Sequence, residues 1–156
     1  MTGKTHLVGG VASALVVAST TSYDPTTLVV SGAVGGLLPD ICHSGSKIGR
    51  KLPVLSRVIN LIFGHRTFTH SLLFLVIIWI LSETFLPGEA ITIGILTGMI
   101  SHLILDAATK NGIKLFYPAS FTIRLPVAAR TGGAIEHIVL IALTLVTLYY
   151  ARDVYI

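Results

Sequence analysis

Charge is what this sequence has least of. Asp, Glu, Lys and Arg make up 12% of the chain, about half the roughly 25% of an ordinary soluble domain. Hydrophobic residues make up 53% and mean hydropathy is +0.83. We therefore expect lipid to be the principal solvent, with a very apolar soluble bundle as the competing reading. Cysteine occurs once, as Cys42, which excludes an intrachain disulfide and a cysteine-rich zinc site. The first apolar run starts almost at Met1 without a clear charged region before it, so we expect a retained helix and no cleaved signal. Low-complexity stretches and composition breaks are also missing. We read residues 1–156 as one membrane-embedded domain.

Five apolar segments can be marked: about Leu7 to Ser19, Thr27 to Pro39, Thr69 to Phe85, Ala90 to Leu105 and Ile138 to Ala151. A full crossing needs about 20 residues, with a range of roughly 17–25. The third, fourth and fifth approach that length with their uncharged flanks; the first two are short. If the N-terminus is inside and all five cross, ten of the eleven basic residues fall on one face and only Arg152 falls opposite. Asp24, Glu83 and Glu89 occupy the opposite loops. That asymmetry is a positive-inside signal. It predicts an odd number of crossings in a multi-pass inner-membrane protein with a cytoplasmic N-terminus.

The expected fold is therefore all-α, a polytopic membrane helix bundle. Gly32 with Gly36, and Gly94 with Gly98, form GxxxG pairs that let helix backbones approach in lipid. Pro53 to Phe63, PVLSRVINLIF, puts Val54, Leu55, Val58, Ile59 and Ile62 on one helical face, opposite Ser56, Arg57 and Asn60. That pattern predicts an interfacial helix on the cytoplasmic leaflet. Ile113 to Pro126 reads as two short extended pieces, IKLFYP and FTIRLP, around a turn.

On this topology the reactive residues collect at one level. His6 opens the first segment, Asp40 closes the second with His43 just beyond, and His65 and His70 open the third. His102 and Asp106 close the fourth, and Glu136 and His137 open the fifth. Residues i and i+4 share a helix face, so His102 and Asp106 can point at one ion. Imidazole and carboxylate suit zinc and other divalent transition metals. An ionisable residue within a membrane segment defaults to a functional role. Each candidate also has a bland reading. His6 can be an interfacial residue, Asp40 a helix end, His65 a solvated loop residue, and His102 with Asp106 a polar pair closing a helix. The arginines can simply obey the charge rule, although arginine also clamps phosphate.

In chain order, His6, LLPDICH, GHRTFTHS and SHLILDAATKNGIKLFYP resemble the YdjM-like family of bacterial inner-membrane proteins. The resemblance covers about His6 to Glu136. It implies a helical membrane protein, a metal-dependent hydrolase, and metal ligands at His6, Asp40, His65, His70, His102 and Asp106. A more distant resemblance is to zinc-dependent phospholipase C and the related single-strand nucleases, which order their ligands in the same way. The later His-x3-Glu of that group is absent here; Glu136-His137 has different spacing. One or two ions are therefore expected in place of three.

The expected function is hydrolysis of a phosphoester, in a phospholipid or lipid-linked substrate, by metal-activated water. His65, Arg66 and Asp40 are the catalytic candidates, and Arg124 and Arg130 the substrate-binding ones. Membrane lipid is the expected partner and nucleic acid is not, since the charge rule already accounts for the basic loops. A metal-ion or proton transporter would place its site near the midplane, whereas these residues lie at one end. Haem ligation by His70 and His102 would leave Asp40 and Asp106 without a role. A non-catalytic scaffold with a structural metal is the third alternative.

Overall fold

In the computed structural model, residues 1–64 and 66–156 are described. Six α-helices carry the described chain: α1 Gly3–Thr20, α2 Pro25–Leu37, α3 Pro53–Phe63, α4 Leu72–Phe85, α5 Glu89–Ala107 and α6 Ala134–Tyr155. Short 3-10 turns, Leu38–Cys42 and Phe68–His70, follow α2 and precede α4. Local chemistry sets several starts. Asp24 caps α2 by accepting from Thr27 N at 2.6 Å, with Pro25 at the first helical position, and Ser71 Oγ caps α4 through Phe74 N at 3.2 Å. Both caps satisfy backbone donors that a helix start leaves unpaired.

α5 is the central helix. α2 packs between α1 and α5, α6 packs against α1, and α4 against α5. Three segments are long and apolar enough to cross a membrane: Pro25–Cys42, Glu89–Ala107 and Ala134–Tyr155. The second apolar segment reaches that length because its 3-10 turn continues α2. The third falls short of the near-full crossing expected for it. α4 has 14 residues, about 21 Å at 1.5 Å per residue against a hydrocarbon core of about 30 Å. Thr69 and His70 lie in the 3-10 turn and not in the helix, because His70 is drawn into the polar cluster described below.

The helix ends alternate as the charge pattern requires. Glu136, at the start of α6, bonds to Thr2 and Thr5 at the start of α1. At the other end Ala18, Leu28, Ile93 and Val154 pack together. α4 and α6 turn Trp79, Ile80, Phe85, Ile138, Ile141, Leu145 and Leu148 outward, a lipid-facing surface too apolar for a soluble monomer. α3 has the bounds expected of it, and it buries Ser56 while exposing Val54, Leu61 and Ile62. Ser56 meets the protein while Arg57 and the apolar face stay exposed. Ile113 and Ile123 pair antiparallel, exchanging backbone bonds of 3.1 and 2.8 Å, so the two extended pieces form a minimal hairpin against the end of α5.

The glycine pairs make the three-helix contact possible. A Cβ on Gly98 of α5 would meet the backbone of Gly32 and Gly36 on α2. A Cβ on Gly36 would meet the backbone oxygen of His6 on α1. Gly98→Val is expected to destabilise the detergent-purified protein by at least the ~1–3 kcal/mol typical of overpacking. Gly3→Ala, whose added carbon meets nothing closer than 4.0 Å, should leave the melting curve unchanged.

Candidate metal centre

Four polar side chains from three elements converge at one end of the bundle. Asp40 comes from the 3-10 turn after α2, His70 from the turn before α4, and His102 and Asp106 from successive turns of α5. One ligand atom from each lies within 4.8 Å of all the others, so the group could hold a metal ion. His70, His102 and Asp106 are fully buried, while the Asp40 side chain is 15% exposed.

The individual distances suit coordination. His70 Nε2 lies 3.2 Å from His102 Nε2, 3.4 Å from Asp106 Oδ2 and 3.8 Å from Asp40 Oδ1. His102 Nε2 lies 3.7 Å from Asp106 Oδ2 and 3.9 Å from Asp40 Oδ1. Ligands about 2.0–2.2 Å from a tetrahedral ion stand about 3.3–3.6 Å from one another. The His70–Asp106 distance of 3.4 Å falls within that range and the His70–His102 distance of 3.2 Å just below it, while His102–Asp106 at 3.7 Å and the two distances to Asp40, 3.8 and 3.9 Å, are longer, so Asp40 is the loosest member.

Hydrogen bonding fixes which atoms are offered. His102 Nδ1 lies 2.7 Å from Gly36 O. A carbonyl only accepts, so Nδ1 carries the proton and, in the neutral ring, Nε2 presents its lone pair to the cluster. His70 Nδ1 lies 3.0 Å from Thr69 Oγ1, which orients that ring. The two oxygens of Asp106 have divided roles. Oδ1 takes the α-amino group of Met1 and the Arg66 guanidinium, the latter at 3.0 Å. Oδ2 faces His70 and His102 and has no hydrogen-bond donor among the described residues. A buried acceptor without a donor is costly, and a cation among these four groups would satisfy it.

His6 adjoins the set without belonging to it. Its ring stacks on His102, with centroids 3.6 Å apart and planes 13° apart. Its Nε2 lies 3.2 Å from Asp106 Oδ1, and neither ring nitrogen has an aligned hydrogen-bond partner among the described residues. His65 lies outside the described residues. Arg66 is placed beside the cluster by hydrogen bonds to Thr109 Oγ1 at 2.8 Å and to Asp106. It does so in a left-handed backbone conformation, φ 60°, which is uncommon for a non-glycine residue and is found at functional positions. His43 is exposed and His137 bonds to its own helix through Gly133 O at 2.9 Å; neither is among the four. Arg124 and Arg130 are both exposed.

Several supporting groups carry no signal in ligand spacing. Glu136 is a clamp: its carboxylate accepts from Thr2 N and Thr5 Oγ1 at 2.6 Å and from Gly132 N at 2.7 Å. It thereby ties α6 to the first turn of α1, one turn from His6. Gly36 O was hidden because a carbonyl leaves no mark in side-chain identity, although Gly36 stands one helical turn before Asp40.

A cavity of about 830 Å³ opens beside the cluster. Asp40 and Arg66 line it on the cluster side. Its wall is basic, with Lys4, Lys47 and Arg50, and includes apolar patches at Leu37, Ile48 and Leu140.

The family model of the YdjM inner membrane protein matches residues 1–155. The chain belongs to the YdjM inner membrane protein family. A relative in Bacillus subtilis (strain 168), named Uncharacterized protein YvsG, is 53% identical over 150 residues, covering 96% of this chain and 94% of its own. The Inner membrane protein YdjM of Escherichia coli (strain K12) is 33% identical over 160 residues, covering 92% of this chain and 79% of its own. The protein of the same name in Shigella flexneri matches to the same extent. No solved structure matches the chain. For this YdjM-family member we expect His70→Ala, His102→Ala and Asp106→Ala each to abolish the divalent metal that co-purifies with wild type, read by elemental analysis. His137→Ala should retain it.

Proposed function

We propose that the chain is a membrane-embedded metal-dependent hydrolase that cleaves a phosphoester of a lipid or lipid-linked substrate. The observation that supports this most is the continuity of the metal cluster, through Asp40 and Arg66, with a basic cavity. The charge distribution supports a multi-pass arrangement with the N-terminus and the site on the cytoplasmic side. A divalent ion at this set, zinc by the chemistry of its donors, supplies Lewis acidity and lowers the pKa of a bound water to about 7. Oδ1 of Asp106 already has two cationic neighbours, which favours one ion over two.

The protein's own groups then divide the work. His70, His102 and Asp106 hold the ion. Asp40, the loosest and most exposed member, stands between cluster and cavity, where its carboxylate orients the attacking water and accepts its proton. Arg66, anchored by Thr109 and Asp106, presents its remaining N–H donors to the phosphoryl oxygens. His65 keeps, as part of this proposal, the role of orienting water or protonating the leaving oxygen.

The alternative with an observation in its favour is a scaffold with a structural metal, because four protein donors can close a tetrahedral site. Asp40 separates the two. As a base, Asp40→Asn retains the metal and lowers turnover of short-chain phospholipid or other phosphoester substrates by about 10²–10⁴-fold. Arg66→Ala lowers it by about 10²–10³-fold. If wild type carries stoichiometric metal, turns over no phosphoester, and loses the metal in Asp40→Asn, the scaffold reading replaces the hydrolase.

A further inference from the structure

Three cations of the cavity wall, Lys4, Lys47 and Arg50, take no part in the chemistry above. Lys47 and Arg50 lie on the loop between the turn after α2 and α3, and Lys4 lies in the first turn of α1. None of the three forms an ion pair with a carboxylate among the described residues. Two acids line the same cavity, Asp40 and Glu136. Glu136 is already held by Thr2, Thr5 and Gly132, and Asp40 faces the metal cluster. Lys4, Lys47 and Arg50 outnumber these two carboxylates, so the wall carries net positive charge.

The loop is also built. Ser46 Oγ donates to Asp40 O at 2.8 Å and accepts from Gly49 N at 2.8 Å. Ser46 N bonds to His43 O at 2.9 Å, and Arg50 N bonds to Ser46 O at 3.1 Å. Through Ser46, the segment that carries Lys47 and Arg50 is fastened to Asp40, which belongs to the cluster and also lines the cavity. Ile48 and Leu37 lie beside these cations in the same wall. A cationic pocket with apolar walls suits a phosphate group attached to something apolar.

We propose that this cavity is a phosphate-recognition site, in which Lys4, Lys47 and Arg50 hold the phosphate of the ligand and deliver it to the metal cluster. The inference rests on the hydrolase reading of the same site and deepens it by naming the group recognised and the residues that recognise it. The positive-inside rule alone would place basic residues on this side of the membrane, but it does not require three of them to line one cavity.

The test uses full-length protein in maltoside micelles and dioctanoyl phosphatidic acid as the probe, with dioctanoylglycerol as the phosphate-free control. Binding is read by native mass spectrometry. Lys47→Ala with Arg50→Ala is expected to weaken binding about 25-fold, roughly fivefold per charge removed. Lys47→Arg with Arg50→Lys should retain it. Lys110→Ala with Lys114→Ala removes the same charge from the same face but outside the cavity wall, and should leave affinity within about twofold. Metal content and melting temperature of each variant report folding.

Glycerol 3-phosphate separates the possible sources. If it shows the same dependence on Lys47 and Arg50, the site reads a soluble phosphate; if only the lipid does, it reads a headgroup. Either result supports the site. Equal loss in both alanine pairs, or unchanged affinity in the Lys47/Arg50 pair, overturns it. Binding that depends on Lys47 and Arg50 in protein that holds no metal and hydrolyses nothing would remove the hydrolase and leave the site standing. Hydrolysis indifferent to the pair would do the reverse.

Discussion

Everything at the working end of this bundle depends on a single buried carboxylate, Asp106. It is fully enclosed at the end of the central helix, and an isolated ionised group there would be strongly disfavoured. The surroundings are arranged around that cost. One oxygen is compensated by Arg66 and the Met1 amino group. The other is turned toward two imidazoles and lacks a donor among the described residues. With Asp40, the group has two carboxylates and two imidazoles, a donor set whose charge a divalent cation neutralises. A metal bound here would make the burial of Asp106 reasonable, and the position of Asp106 would confine such an ion to this end.

Helix packing delivers that geometry. Gly98 and Gly36 let α5 and α2 approach to backbone contact, and Gly36 meets the backbone of His6 on α1 in the same place. Because Gly36 is so close, its carbonyl can receive the Nδ1 proton of His102, and the lone pair on Nε2 is thereby aimed at the cluster. A change that separates these helices would therefore alter ring orientation as well as stability. The stack of His6 on His102 and the Glu136 clamp on α1 hold the same ring from the other side. The cavity beyond Asp40 has the opposite character, being open, basic and partly apolar.

Much of this was legible in the residue order because two strong periodic signals bear on it. The i, i+4 spacing of His102 and Asp106 placed them on one face of α5. The alternation of charge across apolar segments placed His6, Asp40, His70 and Glu136 at the same end. The apolar stripe of α3 marked its bounds and its outward face. Hydropathy misjudged the third segment, since it counts apolar residues and cannot see that His70 is held by a polar cluster before the helix begins. It likewise gave no hint that Glu136 clamps α1, because a carboxylate that accepts backbone N–H groups looks in sequence like one that binds metal. Arg66 was identified by its neighbours in GHRTFTHS. Its left-handed backbone and its anchoring on Thr109 depend on tertiary contacts, as does the grouping of Lys4, Lys47 and Arg50 around one cavity.

The central claim is that His70, His102 and Asp106, with Asp40 at the open side, coordinate a divalent ion. X-ray absorption at the edge of the metal that co-purifies with the wild-type protein tests it most directly. The account predicts a shell of four light ligands at about 2.0–2.2 Å, with the multiple-scattering signature of two imidazoles. A stoichiometric ion surrounded by oxygen alone, with no imidazole signal, would contradict it.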